Sequence, residues 1–239
     1  MRIALITGSG RKGGLGFETA KQLGARGYHT ILAARRMEQI TPFVEELKSL
    51  GISASPVVVD ITDDKSIIEA ASTVEMQYGK LDVLINNAAM LKAGESIEKM
   101  DIDELRSILD TNVVGTWSVT QKFLPLLIKS DQGRIVNVSS SAGSLEDPQY
   151  GFINGALEMP TLGYDISKLA MNGLTIKMAK EFKQYKMLVN SVCPDITDTF
   201  GTGGGRPVSE SAKGIVWAAT LPDDGPTGLF FRDGKQLPW

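Results

Sequence analysis

The stretch "YDISK" sets Tyr164 and Lys168 four residues apart, which places both side chains on one face, a turn apart, if the segment is helical. An ammonium beside a phenol favours the phenolate and lowers the tyrosine pKa, so Tyr164 can exchange a proton near neutral pH. Lysine also suits the hydroxyls of a bound ribose. Such a pair arises by chance often enough to prove little, and its surroundings decide. Upstream, "GRIVNVSSS" ends an apolar run in Ser139, Ser140 and Ser141. A hydroxyl there can hold the substrate oxygen that Tyr164 protonates, or simply serve the turn.

A second constellation opens the chain. "TGSGRKGGLG", Thr7 to Gly16, is half glycine and lies between an apolar run and a helix-like segment. Backbone N–H groups of Gly8, Ser9, Gly14, Leu15 and Gly16 and the following helix N-terminus can then face a pyrophosphate. The next apolar run ends in "LAARR" rather than in the acidic residue that holds adenosine ribose hydroxyls in NAD sites. Arg35 suits a 2′-phosphate, with Arg11 and Lys12 as further cations, whereas Arg36 reads as a solvated surface charge. The expected cofactor is therefore NADPH/NADP+. Asp60, closing "PVVVD", can accept from an adenine amino group or serve the next helix start, although Thr62 can do the latter.

Elements that position these groups alternate along the chain. "RIALIT", "HTILAA", "ASPVVVD", "LDVLIN", "GRIVNVSS", "MLVNSVC" and "GLFF" are strands; helices begin near Gly16, Met37, Asp63, Asp101, Thr161 and Ser209. Apolar strands separated by helices form a parallel sheet covered on both faces. The expected fold is α/β: a single doubly wound Rossmann-fold domain over residues 1–239 with a mostly parallel seven-stranded sheet. Its cofactor-binding half covers about 1–130, its catalytic and substrate segments about 131–239. Asp101 has capping-box spacing, and Pro125 is expected to kink its helix. Ala142 to Pro160 and Pro194 to Pro207 fit neither label, and both follow strand ends, where open sheets bind ligands.

Composition narrows the partners. With 42% hydrophobic and 22% charged residues and a net charge of −3, the chain reads as a globular protein that binds neither nucleic acid nor membrane. The opening apolar run is too short for a signal peptide or a span. A single cysteine, Cys193, excludes an intrachain disulfide and suits a reducing cytoplasm. No metal site is expected, and the lone His29 is given no function. The nine methionines read as core filling.

Taken in order, "TG…GLG", "LAARR", "VVVDIT", "LDVLINNAA", "DTNVVGTWSVTQ", "GRIVNVSSS", "YDISK", "VNSVCPDITDT" and "LPDDGPTGLFFRDG" resemble a short-chain dehydrogenase/reductase over nearly the full length, most of all its carbonyl-reductase-like members. The resemblance implies Tyr164 as general acid/base and Lys168 as the residue that lowers its pKa and binds ribose. It makes Ser140, three positions after Asn137, the carbonyl-orienting hydroxyl. Asn112 is then a helix-shaping residue that supports a water relay to the lysine. It also places Ile61, Asn87 and Ala88 on the adenosine side, with Pro194, Thr197 and Thr199 near the nicotinamide. The implied activity is reversible NADPH-dependent reduction of a ketone or aldehyde. An NAD(P)+-dependent dehydrogenase working mainly in oxidation and a silent NADP-binding regulator are the alternatives.

Three departures from the family pattern stand out. Five residues separate Gly8 from Gly14-Leu15-Gly16, two more than usual, and the surplus is expected to carry Arg11 and Lys12 toward a 2′-phosphate. Ala89 replaces a glycine in "NNAA". Asp195 occupies the place of a small residue beside the nicotinamide, and its side chain is expected to point to solvent. The segment between Ser140 and Tyr164 spans 24 positions and is expected to form a flap. In carbonyl-reductase-like members an insertion here covers the usual helix-packing interface, so both a monomer and a homo-oligomer stay open. The short glycine-lined segment from Pro194 suggests an open site for bulky carbonyl compounds.

Overall fold

The computed structural model describes residues 1–93, 96–157, 160–199 and 201–239. Glu158 and Met159 of the expected flap and Phe200 of the segment after Pro194 lie outside the described residues. One sheet runs in the order β3-β2-β1-β4-β5-β6-β7-β8. Its strands are β1 (Ile3–Thr7), β2 (His29–Ala34), β3 (Ala54–Val58), β4 (Val83–Asn86), β5 (Arg134–Val138), β6 (Leu188–Val192), β7 (Phe230–Arg232) and β8 (Lys235–Gln236). The first seven are parallel, as apolar strands with helical crossovers require.

Seven strands were expected and eight are present among the described residues. Asp233 and Gly234 both have positive φ, 52° and 73°, and turn β8 back antiparallel onto β7 with Arg232 opposite Lys235. "RDGK" is a two-residue hairpin signal of the Asp-Gly kind, too short to register as a strand run.

Two helical layers cover the sheet. On one face α1 (Leu15–Gly24), α2 (Met37–Ser49) and α7 (Val208–Ala219) enclose Ile6, Leu23, Leu32, Val44 and Ile215. On the other α3 (Asp64–Tyr78), α5 (Thr116–Ile128) and α6 (Leu162–Phe182) enclose Leu5, Ile67, Phe123, Leu174 and Val189. Because successive strand residues face opposite layers, Leu5 and Ile6 enter different cores.

Between α4 (Ile102–Leu109) and α5 the chain winds wider, as a π-helical segment at Asp110–Gly115. Such bulges rearrange side chains locally, and this one carries Asn112. Asp101 caps α4 by accepting from the N–H groups of Asp103 and Glu104 at 2.9 and 3.4 Å. The α3 cap is Asp63, which accepts from Lys65 N, rather than Thr62. α5 continues through Pro125 to Ile128. No helix of the described residues is long and apolar enough to cross a membrane.

Candidate active site

The connections leaving β1, β4, β5 and β6 meet at one end of the sheet, around the point where strand order reverses between β1 and β4. Gly8 adopts φ +69°, and a Cβ there would lie 2.7 Å from Ala88 Cα. Only glycine allows both the left-handed turn and this approach. The turn is tied to β4: Thr7 Oγ1 accepts from the N–H groups of Asn87 and Ala88, and Asn87 Nδ2 donates to Thr7 O at 2.8 Å and to Gly8 O at 3.2 Å.

A cleft of about 790 Å³ opens above this turn. Gly8, Arg11, Gly14 and Leu15 line it from the glycine loop, and Arg35, Asp60 and Ile61 from the exits of β2 and β3. Asn87, Ala88, Tyr164 and Thr199 complete the predicted set there. A second cavity of about 330 Å³ shares Leu15, Asn87, Tyr164 and Thr199 with the cleft and adds Ser140, Lys168, Pro194 and Thr197.

Three of the predicted loop residues line neither space. Ser9 is fully buried; its hydroxyl donates to Ile6 O and accepts from Ala33 N at 2.8 Å, locking the loop to β2. Gly16 lies beneath the turn, where a Cβ would meet Asn87 Nδ2 at 2.7 Å. Lys12 is exposed and outside the cleft wall. The expected delivery of Arg11 and Lys12 to one phosphate is therefore corrected. Gly14 N donates to Arg11 O, folding the surplus residues into a tight turn, and Arg11 Nη2 reaches across to Thr199 O at 2.7 Å. Sequence reasoning also passed over Gly10 and Gln39, which line the cleft. A Cβ on Gly10 would lie 2.7 Å from Ala34 Cβ, so the close approach is again to β2. Asp60 Oδ1 accepts from both the N–H and the hydroxyl of Thr62, so it orders its own turn while facing the cleft.

At the junction of the two spaces Tyr164 and Lys168 project from the start of α6. Lys168 Nζ lies 5.3 Å from the Tyr164 ring centroid and donates to Val138 O at 2.7 Å. Lys168 is 1% exposed, and burial pushes its pKa down to about 7. Tyr164 moves the other way: burial, then the Cys193 sulfur and the Asp165 carboxylate, push it above its ordinary value, while the neighbouring Ser140 hydroxyl pulls it back. Desolvation of the phenol outweighs the lowering expected from Lys168, so the net shift in this geometry is upward. The phenol is held protonated.

Of the three serines, Ser140 is the one set beside the phenol. Ser139 is buried against Lys168 O, and the Ser141 hydroxyl contacts Cys193 Sγ at 3.1 Å and accepts from Arg232. Asn112 is fully buried. Its Oδ1 accepts from Met90 N at 2.7 Å, and its Nδ2 donates to Met90 O and to Ser167 Oγ, each at 2.9 Å. It thus clamps the chain after β4 onto α6.

Beneath the serines lies a buried polar ladder that the sequence reading missed. Asn86 Nδ2 donates to Thr120 Oγ1 and to Asn137 Oδ1, Asn137 Nδ2 to Thr175 Oγ1, and Thr175 Oγ1 pairs with Ser191 Oγ. It ties α5 and α6 to β4, β5 and β6. Its signal was present, since Asn86 and Asn137 interrupt otherwise apolar strands.

Two further expectations change. Asp195, at φ +62°, lines the smaller cavity instead of pointing only to solvent, because the left-handed turn after Pro194 swings it back. The flap is tied to the C-terminus: Ser144 Oγ donates to Pro238 O and Glu146 N to Trp239 O. Val114 and Trp117 on the π segment and α5, and Ile166 on α6, stay exposed, so these described residues are not covered by the flap. No group of three metal-ligating side chains occurs among the described residues.

A dinucleotide-type cleft ending at a Ser-Tyr-Lys constellation defines an oxidoreductase class. A sequence profile described as short chain dehydrogenase matches residues 2–207, and the chain belongs to that family. It is 36% identical to the short-chain dehydrogenase anuI of Penicillium roqueforti, covering 95% of this chain and 91% of that one. It is 32% identical to salutaridine reductase of Papaver bracteatum, covering 99% and 96%. Among solved structures, the NADPH-bound carbonyl reductase from chicken fatty liver matches with a TM-score of 0.84 at 26% identity, covering 100% of both chains.

Proposed function

We propose that the chain is an NADPH-dependent oxidoreductase that reversibly reduces a ketone or aldehyde to an alcohol, with Tyr164 as general acid/base, in a reducing cytoplasm. The observation that carries this reading is the Tyr164 phenol, set beside Ser140 and Lys168 where the cleft meets the smaller cavity. The cleft fits the cofactor. Its floor is the glycine turn at Gly8, its β2 exit offers Arg35 rather than a carboxylate, and Arg11 adds a second guanidinium to its wall. Asn87, Ala88, Asp60 and Ile61 would hold the adenosine side, with Pro194, Thr197 and Thr199 at the nicotinamide side. Bound NADPH supplies the hydride.

The side chains handle the proton. The Ser140 hydroxyl donates to the substrate oxygen and orients it toward Tyr164, whose phenol donates its proton to that oxygen as negative charge builds there. Lys168, with its pKa near 7, stabilises the phenolate left behind and can return a proton to it. The Asn112 clamp keeps the start of α6 in place. Apolar surface from Leu15, Val138 and Ala142 limits water around the exchange. Salutaridine reductase and the NADPH-bound carbonyl reductase support reduction by their names. Loss of NADPH absorbance with a panel of ketones and aldehydes tests the reading. Turnover that disappears in Tyr164→Phe is the expected result, and no turnover with any carbonyl compound would overturn it.

A further inference from the structure

The smaller cavity carries a charge pattern that proton transfer does not use. Its titrating groups are Tyr150, Tyr164, Lys168, Cys193 and Asp195. Both phenols and the thiol are pushed up by burial and stay neutral. Lys168 sits at the floor, 1% exposed, its Nζ bonded to Val138 O. Asp195 is the one carboxylate on the wall, and its side chain is 35% exposed.

The Asp195 carboxylate is held in place. Its backbone N–H donates to Cys193 Sγ at 3.3 Å, and its Oδ1 accepts from Ile196 N at 2.9 Å. The cation behind it is Arg232, whose Nη1 lies 4.0 Å from Asp195 Oδ1 and whose Nη2 lies 3.9 Å from Asp147 Oδ2. Arg232 spends its hydrogen bond on a neutral group, the Ser141 hydroxyl, at 3.1 Å. Asp147 is fully buried, and its Oδ2 has no hydrogen-bond partner among the described residues. One guanidinium thus stands between two carboxylates at ion-pair distance only, and the other that Asp195 influences, Arg206, is already paired through both Nη atoms with Asp233, so carboxylates outnumber guanidiniums along this wall. The field reaches across the cavity, since after burial itself Asp195 is the main influence raising Tyr150.

We propose that Asp195 is a specificity residue that selects carbonyl substrates carrying a protonated amine and disfavours those carrying a carboxylate. This rests on the reductase reading and names the substrate class of the same site. A cation entering the cavity completes the wall's charge, whereas an anion meets Asp195 in a half-desolvated space where like charges repel strongly.

The test compares three ketones of equal size bearing an ammonium, an alkyl or a carboxylate group, with NADPH saturating and ionic strength fixed at about 0.1 M to limit screening. The wild-type chain is expected to favour the ammonium ketone over the carboxylate ketone in kcat/KM by about tenfold or more. Asp195→Asn and Asp195→Gly, both compatible with a left-handed φ, are expected to narrow that ratio to about twofold. Equal or reversed wild-type preference, or a preference that survives both substitutions, overturns the proposal. No turnover of all three overturns the reductase reading instead. Calorimetric binding of the same compounds to Tyr164→Phe and to its Asp195→Asn double variant then decides the charge preference.

Discussion

Lys168 is buried and Tyr164 half-buried, and desolvation moves their pKa values in opposite directions, up for the phenol and down to about 7 for the ammonium. A neutral phenol beside an amine that titrates near 7 suits an acid that must give its proton and regain it. Tyr164→Phe is expected to lower kcat by about 10²- to 10⁴-fold with little change in thermal midpoint, read from NADPH oxidation and calorimetry on the same sample. In the proposed NADPH reading Arg35 would set the cofactor preference at the β2 exit, since it lines the cleft and its equally exposed neighbour Arg36 does not. Arg35→Ala should raise the KM for NADPH about tenfold, the loss of one charge-assisted contact, and leave the KM for NADH within about twofold. Equal rises with both cofactors would remove the 2′-phosphate argument.

Elements matter here for what they bring within reach. The glycine turn holds the β1 exit against the β4 exit, while the π segment and the buried polar ladder tie helices to the strands beside them. Gly8→Ala meets both a positive φ and a backbone atom 2.7 Å away. It is therefore expected to weaken NADPH binding more than about tenfold and to lower the thermal midpoint, since neither conflict yields to a side-chain adjustment. Asn137→Ala removes the central rung of the ladder, leaving Asn86 Nδ2 only Thr120 Oγ1 and Thr175 Oγ1 only Met171 O and Ser191 Oγ as partners. Urea denaturation should show a loss of about 1–2 kcal/mol for the two hydrogen bonds removed. A loss below about 0.5 kcal/mol would mean the ladder is not a structural tie. The Arg11 bridge to Thr199 O joins the lengthened glycine loop to the segment after Pro194. In Arg11→Ala, amide exchange in that segment is expected to quicken while exchange in β1 stays slow.

At the scale of the molecule, the far end of the sheet holds a second polar assembly, remote from the site. His29 bonds Ser53 Oγ through Nδ1 at 2.7 Å, and Ser55 Oγ and Tyr78 OH through Nε2 at 2.9 and 3.0 Å. Burial lowers its pKa below the ordinary 6.5. The unfolded chain therefore binds the proton more tightly than the folded one, and stability falls as pH drops from 6.5 through the folded pKa. Asp165 opposes this. Burial raises it to about 6 from 3.8, so its share of stability grows as pH falls through that same window. Thermal melts of wild type and His29→Gln between pH 7 and 5, an interval of about two units chosen to bracket both groups, should show the shallower acid slope in the variant.

Much of the architecture was legible in the chain because periodicity and punctuation are local. Apolar runs of strand length, the Asp101 cap and the glycine-rich turn each depend on neighbours a few residues away, and seven strands and the helix starts follow from them. The order Gly8, Arg35, Ser140, Tyr164, Lys168 was equally readable, since it rests on residue type and spacing. What only the tertiary structure decided depends on residues far apart in sequence. Ser9 is withdrawn into the β2 lock, and Arg11 is turned to Thr199, 188 positions away. Asp195 is swung into the cavity, where it meets Arg232 from β7, and the Tyr164 phenol loses enough water for its net shift to be upward. Which way a charge points, and how much water it loses, is set by the assembled surface around it; no stretch of sequence contains that surface.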